Sequence, residues 1–600
     1  MEKPLDEYAN RKRSRQHHAA ALEQKHIYLG NAKVAIFIAA VIYTPFALGS
    51  DRSESVYGVL AVAFIALSIW HEVVMRALTR AKAAVQYYDD GIARIEDRWM
   101  RDTPSGERFR DPASPLRGDV VTGRDHPYAD DLDIFGPRSL FQLLSCCRTP
   151  MGEERLARWL LTASAVQSIR ERQAQVSSMR PRVDLRERIA VVNAGRTRSI
   201  DAAKLIAWAE SMSIMPRLRA LIAALAIAFV AALYVYMNGG PGIYVVVSAI
   251  VNVAVLAWLG KRGNYVVESL AGATESAALD LVANVIREIE TEAARDAAFT
   301  SRLKGQSASR GMARLARISD WADSRHNVFL RLSEIPVLFT LQLAYAAESW
   351  RRTHGRHLHE WIDVVAETEA LLSLAGYSYE HPADPFPELA DGPSASFDAV
   401  EIAHPLIPAA EAVRNSLTLG IDGRVLIVSG SNMSGKSTLM RTVGVNVALG
   451  FAGAPVRAER LRLTPLQLGT CLRHTDSLQE HRSGFYTEAL RIRAICNLLD
   501  GPLPVLFLFD ELLSGTNSKD RRIAAEGVIR MMLGRQAIGM VTTHDLSLTE
   551  IAAIFPGQVR NVHLQDTVVD GRMVFDYKIR DGVITHSNAL ALMRIIGLDV

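Results

Sequence analysis

The segment Gly430-Ser431-Asn432-Met433-Ser434-Gly435-Lys436-Ser437 spaces two glycines, a lysine and a hydroxyl as GxxxxGK[ST]. It follows an apolar run and precedes an apolar-periodic stretch, so strand, loop and helix are expected in that order. Glycines permit the tight loop. Backbone N–H groups and a helix N-terminus receive phosphate oxygens. Lys436 is expected to reach the β- and γ-phosphates and Ser437 to ligate Mg²⁺. The expected cofactors are therefore ATP and Mg²⁺.

Further along, Val505-Leu-Phe-Leu-Phe runs into Asp510-Glu511. Two carboxylates after so apolar a run belong at the end of a buried strand, not on a solvated surface. Asp510 is placed to hold Mg²⁺ through water, and Glu511 to orient or deprotonate an attacking water. Thr542-Thr543-His544 ends the next apolar run, where His544 could sense or polarise the γ-phosphate. Between them lies Leu513-Ser514-Gly515-Thr516-Asn517-Ser518. In ATPases of the ABC type such a loop completes the nucleotide site of a second subunit; the bland alternative is a helix cap at Ser518.

The elements that must position these groups form an α/β pattern. Phe397–Ala403, Arg424–Ser429, Val505–Phe509 and Ala537–Val541 read as strands, and Leu439–Leu449 and Ile523–Leu533 as helices. That alternation predicts a largely parallel sheet. The proline-rich Asp384–Pro393 marks a boundary before it. Upstream the pattern is helical. Pro137 to Cys146 is one expected helix, Thr149-Pro150 an N-cap with proline at the first helical position, and Ser164 the start of another. Ala308–Arg352 reads as one long helix, kinked at Pro336. Asp102–Asp125 reads as a loop.

The 600 residues carry 68 Lys plus Arg against 65 Asp plus Glu, a formal net charge of +3. That balance excludes binding of nucleic acid by bulk charge, but not by a local basic face. The 4 cysteines include no CxxC pair, so neither a zinc ribbon nor a disulfide framework is indicated.

Ala220–Gly260 contains no charged residue. Asn238-Gly239-Gly240-Pro241-Gly242 divides it into two stretches, each close to the ~20 residues that cross a bilayer as a helix. Val34–Ser50 and Ser55–Trp70 repeat the pattern more weakly. Arg11, Lys12, Arg13, Arg15, Lys25, Lys33, Arg76, Arg80 and Lys82 flank the first pair. Arg217, Arg219, Lys261 and Arg262 flank the second, whereas the two turns hold only Arg52. Basic residues on one side place both termini and the large polar segments in the cytoplasm. An integral inner-membrane protein with four spans is expected. Over thirty polar residues precede the first span, which argues against a signal peptide. No acidic residue lies inside a span, so the spans read as anchors and not as a conduit.

Gly430-Ser-Asn-Met-Ser-Gly-Lys-Ser-Thr438 resembles the phosphate loop of the MutS DNA mismatch-repair family, and Asp510-Glu-Leu-Leu-Ser-Gly-Thr-Asn517 is similar to its carboxylate pair and signature loop. Ile402-Ala-His404-Pro405, Ser483-Gly-Phe-Tyr-Thr-Glu488 and Thr542-Thr-His544 resemble further segments of the same domain. Weaker likeness to the family's helical core runs through Pro137–Leu144, Thr149–Gly152, Arg158–Leu161 and Ile169–Gln173. The resemblance implies that Gly430 to Thr438 bind ATP. It also implies that Ser514 reaches the nucleotide of a partner, making a homodimer with composite sites. Nothing before residue 130 resembles the mismatch-sensing domain, and no Phe-x-Glu wedge is expected anywhere in the chain. Val413 stands where many relatives carry an aromatic residue near the adenine.

The expected fold is multidomain, α plus α/β: transmembrane helical hairpins, an all-α MutS-like core and lever region, and a C-terminal α/β P-loop (ABC-type) ATPase domain. The expected organisation is a membrane hairpin segment (1–82), a connector (83–130), the first part of the helical core (131–216), a second hairpin (217–262), lever helices (263–390) and the ATPase domain (391–600). The expected function is a membrane-anchored, ATP-dependent protein of the mismatch-repair or recombination class, with double-stranded DNA as partner. Arg310, Arg314, Arg317 and Arg325 could touch phosphates, though a solvated helix face reads equally well. The alternative is a membrane ATPase acting by the same dimeric cycle on a protein or envelope partner.

Overall fold

The computed structural model describes residues 3–47, 53–100, 103–111, 116, 122, 125–192, 194, 200–296, 303, 307–324, 328–392, 394–431, 433–472, 484–513, 517–569 and 572–584. Two compact units emerge, each assembled from separate stretches of chain. One comprises 1–92, 147–152 and 182–369; the other comprises 93–146, 153–181 and 370–600.

The first unit is helical. Helices Pro4–Ala47 and Ser53–Ile95 run antiparallel. Lys12 pairs with Asp89, Glu23 with Lys82, His26 with His71 and Tyr43 with Tyr57. Leu22, Leu29, Val74 and Leu78 fill the seam between them. A second hairpin joins Arg219–Met237 to Ile243–Ala273. Asn238 closes its turn, donating Nδ2–H to Tyr234 O, and Gly239 takes the left-handed conformation at φ 85°, which suits glycine. These four helices are long and apolar enough to cross a membrane. Three of them extend well beyond the apolar stretches that mark them in the sequence. Ser276–Arg295, Ala308–Ser324 and the start of Phe339–Glu380 pack on the base of the second hairpin, around Leu259, Val266, Leu270, Leu341 and Trp350.

The single helix expected over Ala308–Arg352 is broken. Ala308–Ser324 is followed by the short helices Val328–Leu332 and Glu334–Val337, and Leu338 takes φ 53°. Pro336 falls in the first turn of Glu334–Val337, where its missing N–H leaves no bond unmade, and it is buried Leu338 that turns the chain into Phe339–Glu380. The helix expected from Pro137 shrinks to Leu140–Leu144, with Ser139 accepting from Gln142 N. Thr149 caps Pro150–Leu161 as expected, accepting from Gly152 N. The helix expected from Ser164 begins at Val166. Within the expected loop before Asp125, Phe109 is fully buried against Phe135 and Phe141.

The second unit contains two sheets. Strands β1 (Glu388–Leu389), β2 (Phe397–Ile402), β3 (Asn415–Leu419) and β5 (Arg460–Leu463) form one, in the order β1-β5-β2-β3. The other holds β4 (Val425–Ser429), β6 (Gln467–Cys471), β7 (Val505–Phe509), β8 (Ile538–Thr543), β9 (Val559–Val569) and β10 (Arg572–Asp581), in the order β10-β9-β4-β8-β7-β6. All its pairings are parallel except β9 with β10. Every residue of β4, β7 and β8 is buried. Central parallel strands are covered on both faces, which is why they read as unbroken apolar runs. Helices Lys436–Ala452, Gly484–Asn497 and Ser518–Gly534 join them.

Candidate functional site

Strands β4, β8 and β7 are neighbours and point the same way, so their C-terminal ends share one edge of the sheet. In open parallel sheets that edge is where ligands bind. β4 runs into Gly430, β7 into Asp510 and β8 into His544. Three groups spread over more than a hundred residues thus meet through register alone: Ser429 lies opposite Thr543, and Phe509 opposite Val541.

The glycine-rich loop folds back over its own helix. Gly435 is the N-cap of Lys436–Ala452 at φ 93°, and Gly430 takes φ 157°. A Cβ on Gly430 would meet Ser434 Oγ at 2.6 Å, so side chains are excluded there. Lys436 is buried. Its Nζ donates to Gly430 O at 2.8 Å and Ser431 O at 2.7 Å. Burial pushes its pKa below the usual lysine value, while Glu511 and Asp510 pull it back up. Ser434 is buried and donates to Ser431 O. Ser431 Oγ is buried with no hydrogen-bond partner among the described residues. Ser437 is half-buried, whereas Met433 and Thr438 are exposed. Asn432 lies outside the described residues.

At the next strand ends Thr542 is the organiser. Its Oγ1 donates to Asp510 Oδ1 and accepts from Glu511 N at 2.9 Å. One buried hydroxyl therefore fixes both carboxylate residues. Glu511 and Leu513 adopt positive φ, 47° and 58°, a conformation that costs side chains other than glycine. Glu488 helps to hold that turn, accepting from Leu513 N at 2.5 Å. Glu511 Oε1 lies 3.5 Å from His544 Nδ1. Ser514 falls outside the described residues. Asn517, not Ser518, caps the helix that follows, accepting from Asp520 N.

A cleft of about 390 Å³ opens beside the loop, lined by His404, Ile407, Val413, Lys436, Ser437 and Tyr577 among others. His404 accepts from Leu406 N through Nδ1, and burial lowers its pKa to about 4, so its ring is neutral at physiological pH. Tyr577 went unrecognised in the sequence. It sits in a bulge of β10 at φ 54°, and Asn415 holds the bulge by donating to Tyr577 O and accepting from Ile579 N. Its ring packs on Gly435 so closely that a Cβ there would lie 2.8 Å from Cδ1. The cleft wall therefore carries an aromatic ring although position 413 is valine. Asn415 was missed too, because a single polar residue at the start of a strand carries no spacing signal; Thr542 and Glu488 fall in segments the sequence singled out, but their bonding roles were not read there. Contrary to the expected absence, the chain has two Phe-x-Glu tripeptides, both in this unit: Phe386–Glu388 leads into β1 and Phe509–Glu511 ends β7.

Taken together, the elements define an α/β module with a glycine-rich loop, a carboxylate pair and a histidine at one sheet edge. Residues 426–599 match the model of MutS domain V. Over 198 residues the chain is 34% identical to endonuclease MutS2 of Thermus thermophilus, covering 32% of this chain and 25% of that protein. Over 250 residues it is 30% identical to DNA mismatch repair protein MSH4 of Arabidopsis thaliana, covering 40% of this chain and 31% of that protein. These matches support a protein of the MutS family. The chain thus spans about a quarter to a third of the length of these relatives.

Proposed function

We propose that the chain is a membrane-anchored, MutS-like ATPase that acts on double-stranded DNA as a homodimer. The observation that carries the nucleotide reading is the convergence of Lys436, Asp510, Glu511 and His544 at adjacent strand ends. In this reading the loop Gly430–Thr438 cradles the phosphates of ATP and Lys436 supplies the cation. Ser437 and Asp510 hold Mg²⁺, whose charge offsets that developing on the transferred phosphoryl group. Glu511 orients the attacking water, and His544, beside Glu511, reads the γ-phosphate. Tyr577 and Val413 line the cleft that takes the base. Ser514 of one subunit completes the site of the other.

Membrane anchoring is supported by the four apolar helices, whose outward faces expose Phe37, Ile65, Ile227, Tyr234, Val247 and Trp258. Exposed apolar faces of that extent have no place in water. The basic flanks put the α/β unit on the cytoplasmic side. DNA as partner is supported by the names of the relatives. The test is binding of the detergent-solubilised chain to homoduplex, mismatched and branched DNA, with and without ATP. Salt-dependent binding to duplex is expected. No binding at low salt would favour a protein or envelope partner acting through the same ATPase cycle.

A further inference from the structure

Asn252 lies in the middle of the apolar stretch of the helix Ile243–Ala273. It is fully buried, and its Nδ2 donates to Ile335 O at 2.8 Å. A polar side chain at the centre of a span normally marks a specific partner, and here the partner is the backbone of the broken segment Val328–Val337. From Asn252 to Lys261, the first charge after the span, nine residues rise about 13 Å at 1.5 Å each. That is near the midplane of a hydrocarbon core about 30 Å thick.

Trp321 and Phe339, which flank the segment, lie side by side. The rings of Trp321 and Phe339 meet edge to face, with centroids 5.9 Å apart. Beside them Arg314 and Arg317 line a cleft with Trp321 and Phe339. On the hairpin, Gly263 packs against Leu341, while Trp258 and Tyr265 are exposed. Aromatic rings and basic side chains gathered at one height are what a membrane–water boundary selects. Beyond that height the segment is apolar and outward-facing: Leu332 is 70% exposed and Ile335 42%. An open apolar groove of about 650 Å³ separates Val337 and Phe339 from Ala223, Ile227, Val230 and Tyr234.

We infer that the segment 328–338 is a re-entrant membrane element, inserted from the cytoplasmic side along the second hairpin and held by Asn252. Irregular backbone survives at such depth only when its polar groups are satisfied. Asn252 satisfies Ile335 O. Ser333 donates its Oγ–H to Leu330 O, and Ser333 O accepts from Val337 N. Glu334 reaches back to Thr340, accepting from its N and Oγ1. Exposed Arg331 has the length to carry its guanidinium to the headgroups.

The inference rests on the membrane reading proposed above, and the test separates the two. Full-length chain lacking its four cysteines is reconstituted in vesicles. Single cysteines, Leu332→Cys, Val247→Cys and Glu459→Cys, are spin-labelled, and their collisions with oxygen and with a water-soluble nickel chelate are measured. Val247, on the hairpin, reports lipid; Glu459, on the α/β unit, reports water. Leu332 should match Val247, with oxygen collisions favoured several-fold over the chelate. A lipid-like Val247 with a Leu332 matching Glu459 would overturn the re-entrant element alone. A water-like Val247 would overturn the membrane reading and this inference with it.

Discussion

Glu511 and His544 stand 3.5 Å apart, Oε1 to Nδ1, at the ends of the neighbouring strands β7 and β8. Thr542, two residues before His544, donates to Asp510 and accepts from the backbone of Glu511. The carboxylate pair is therefore held from the adjacent strand, and its alignment depends on sheet register.

Glu511→Gln should bind ATP yet turn over about 10²-fold or more slowly, because binding uses the loop and Lys436 while hydrolysis needs the positioned water. Nucleotide binding and single-turnover hydrolysis measure the two separately. Full turnover in this variant would remove Glu511 from the chemistry.

Thr542→Val keeps the shape of the side chain and deletes its hydroxyl. It leaves Glu511 N and one Asp510 oxygen without their partner, a loss of about 1–3 kcal/mol in stability. Turnover should fall further than ATP affinity. A variant with unchanged turnover and melting temperature would show that the hydroxyl organises nothing.

The strands β4, β7 and β8 were legible in the sequence because buried parallel strands are unbroken apolar runs, and their ends named the loop, the carboxylates and the histidine. The helices long and apolar enough to cross a membrane were legible for a similar reason: Ala220–Gly260 lacks charge altogether. The roles of Thr542 and Glu488, and Tyr577 altogether, were not legible, since they come from contacts between distant elements and from a bulge in β10. The break at Leu338 was misplaced onto Pro336, because it takes the packing around buried Leu338 to decide where the chain turns. Likewise β3 and β5 are short strands whose pairing with β2 has no local signal.

Arg172 stacks over Trp159 at 4.1 Å and donates to Phe451 O and Ala452 O at the end of the helix Lys436–Ala452. These carbonyls lie in the last turn, where a cation is favourable. Arg172→Ala should destabilise the α/β unit by about 2 kcal/mol or more, since it leaves buried carbonyls unpaired. Thermal or denaturant unfolding checks this, and an unchanged midpoint would refute it.

Glu369 is buried and accepts from Thr149 Oγ1 and the N–H groups of Thr149 and Arg148. Burial pushes its pKa from 4.5 up to about 7, with those bonds opposing. The folded state then binds a proton that the unfolded state has released, so stability from this group falls as pH rises from about 4.5 to about 7. The full effect is about 3 kcal/mol at most. Unfolding midpoints between pH 5 and pH 8 should fall more steeply in the parent than in Glu369→Gln. Equal slopes would show that Glu369 does not titrate in this range.

Mixed dimers of Lys436→Ala and Ser514→Arg subunits address assembly. One composite site in each mixed dimer retains both residues, so part of the activity lost in each parent should return. Verified heterodimers as inactive as their parents would contradict a site shared between subunits.

The central claim is that the loop at the end of β4 is the heart of an ATP-hydrolysing site. Mg²⁺-dependent phosphate release by the full-length chain in vesicles, compared with Lys436→Ala, tests it most directly. Steady hydrolysis that needs Mg²⁺ and falls to background in Lys436→Ala is the predicted result. Hydrolysis that persists at the parental rate in Lys436→Ala, or a folded parent that neither binds nor hydrolyses ATP, would contradict the account.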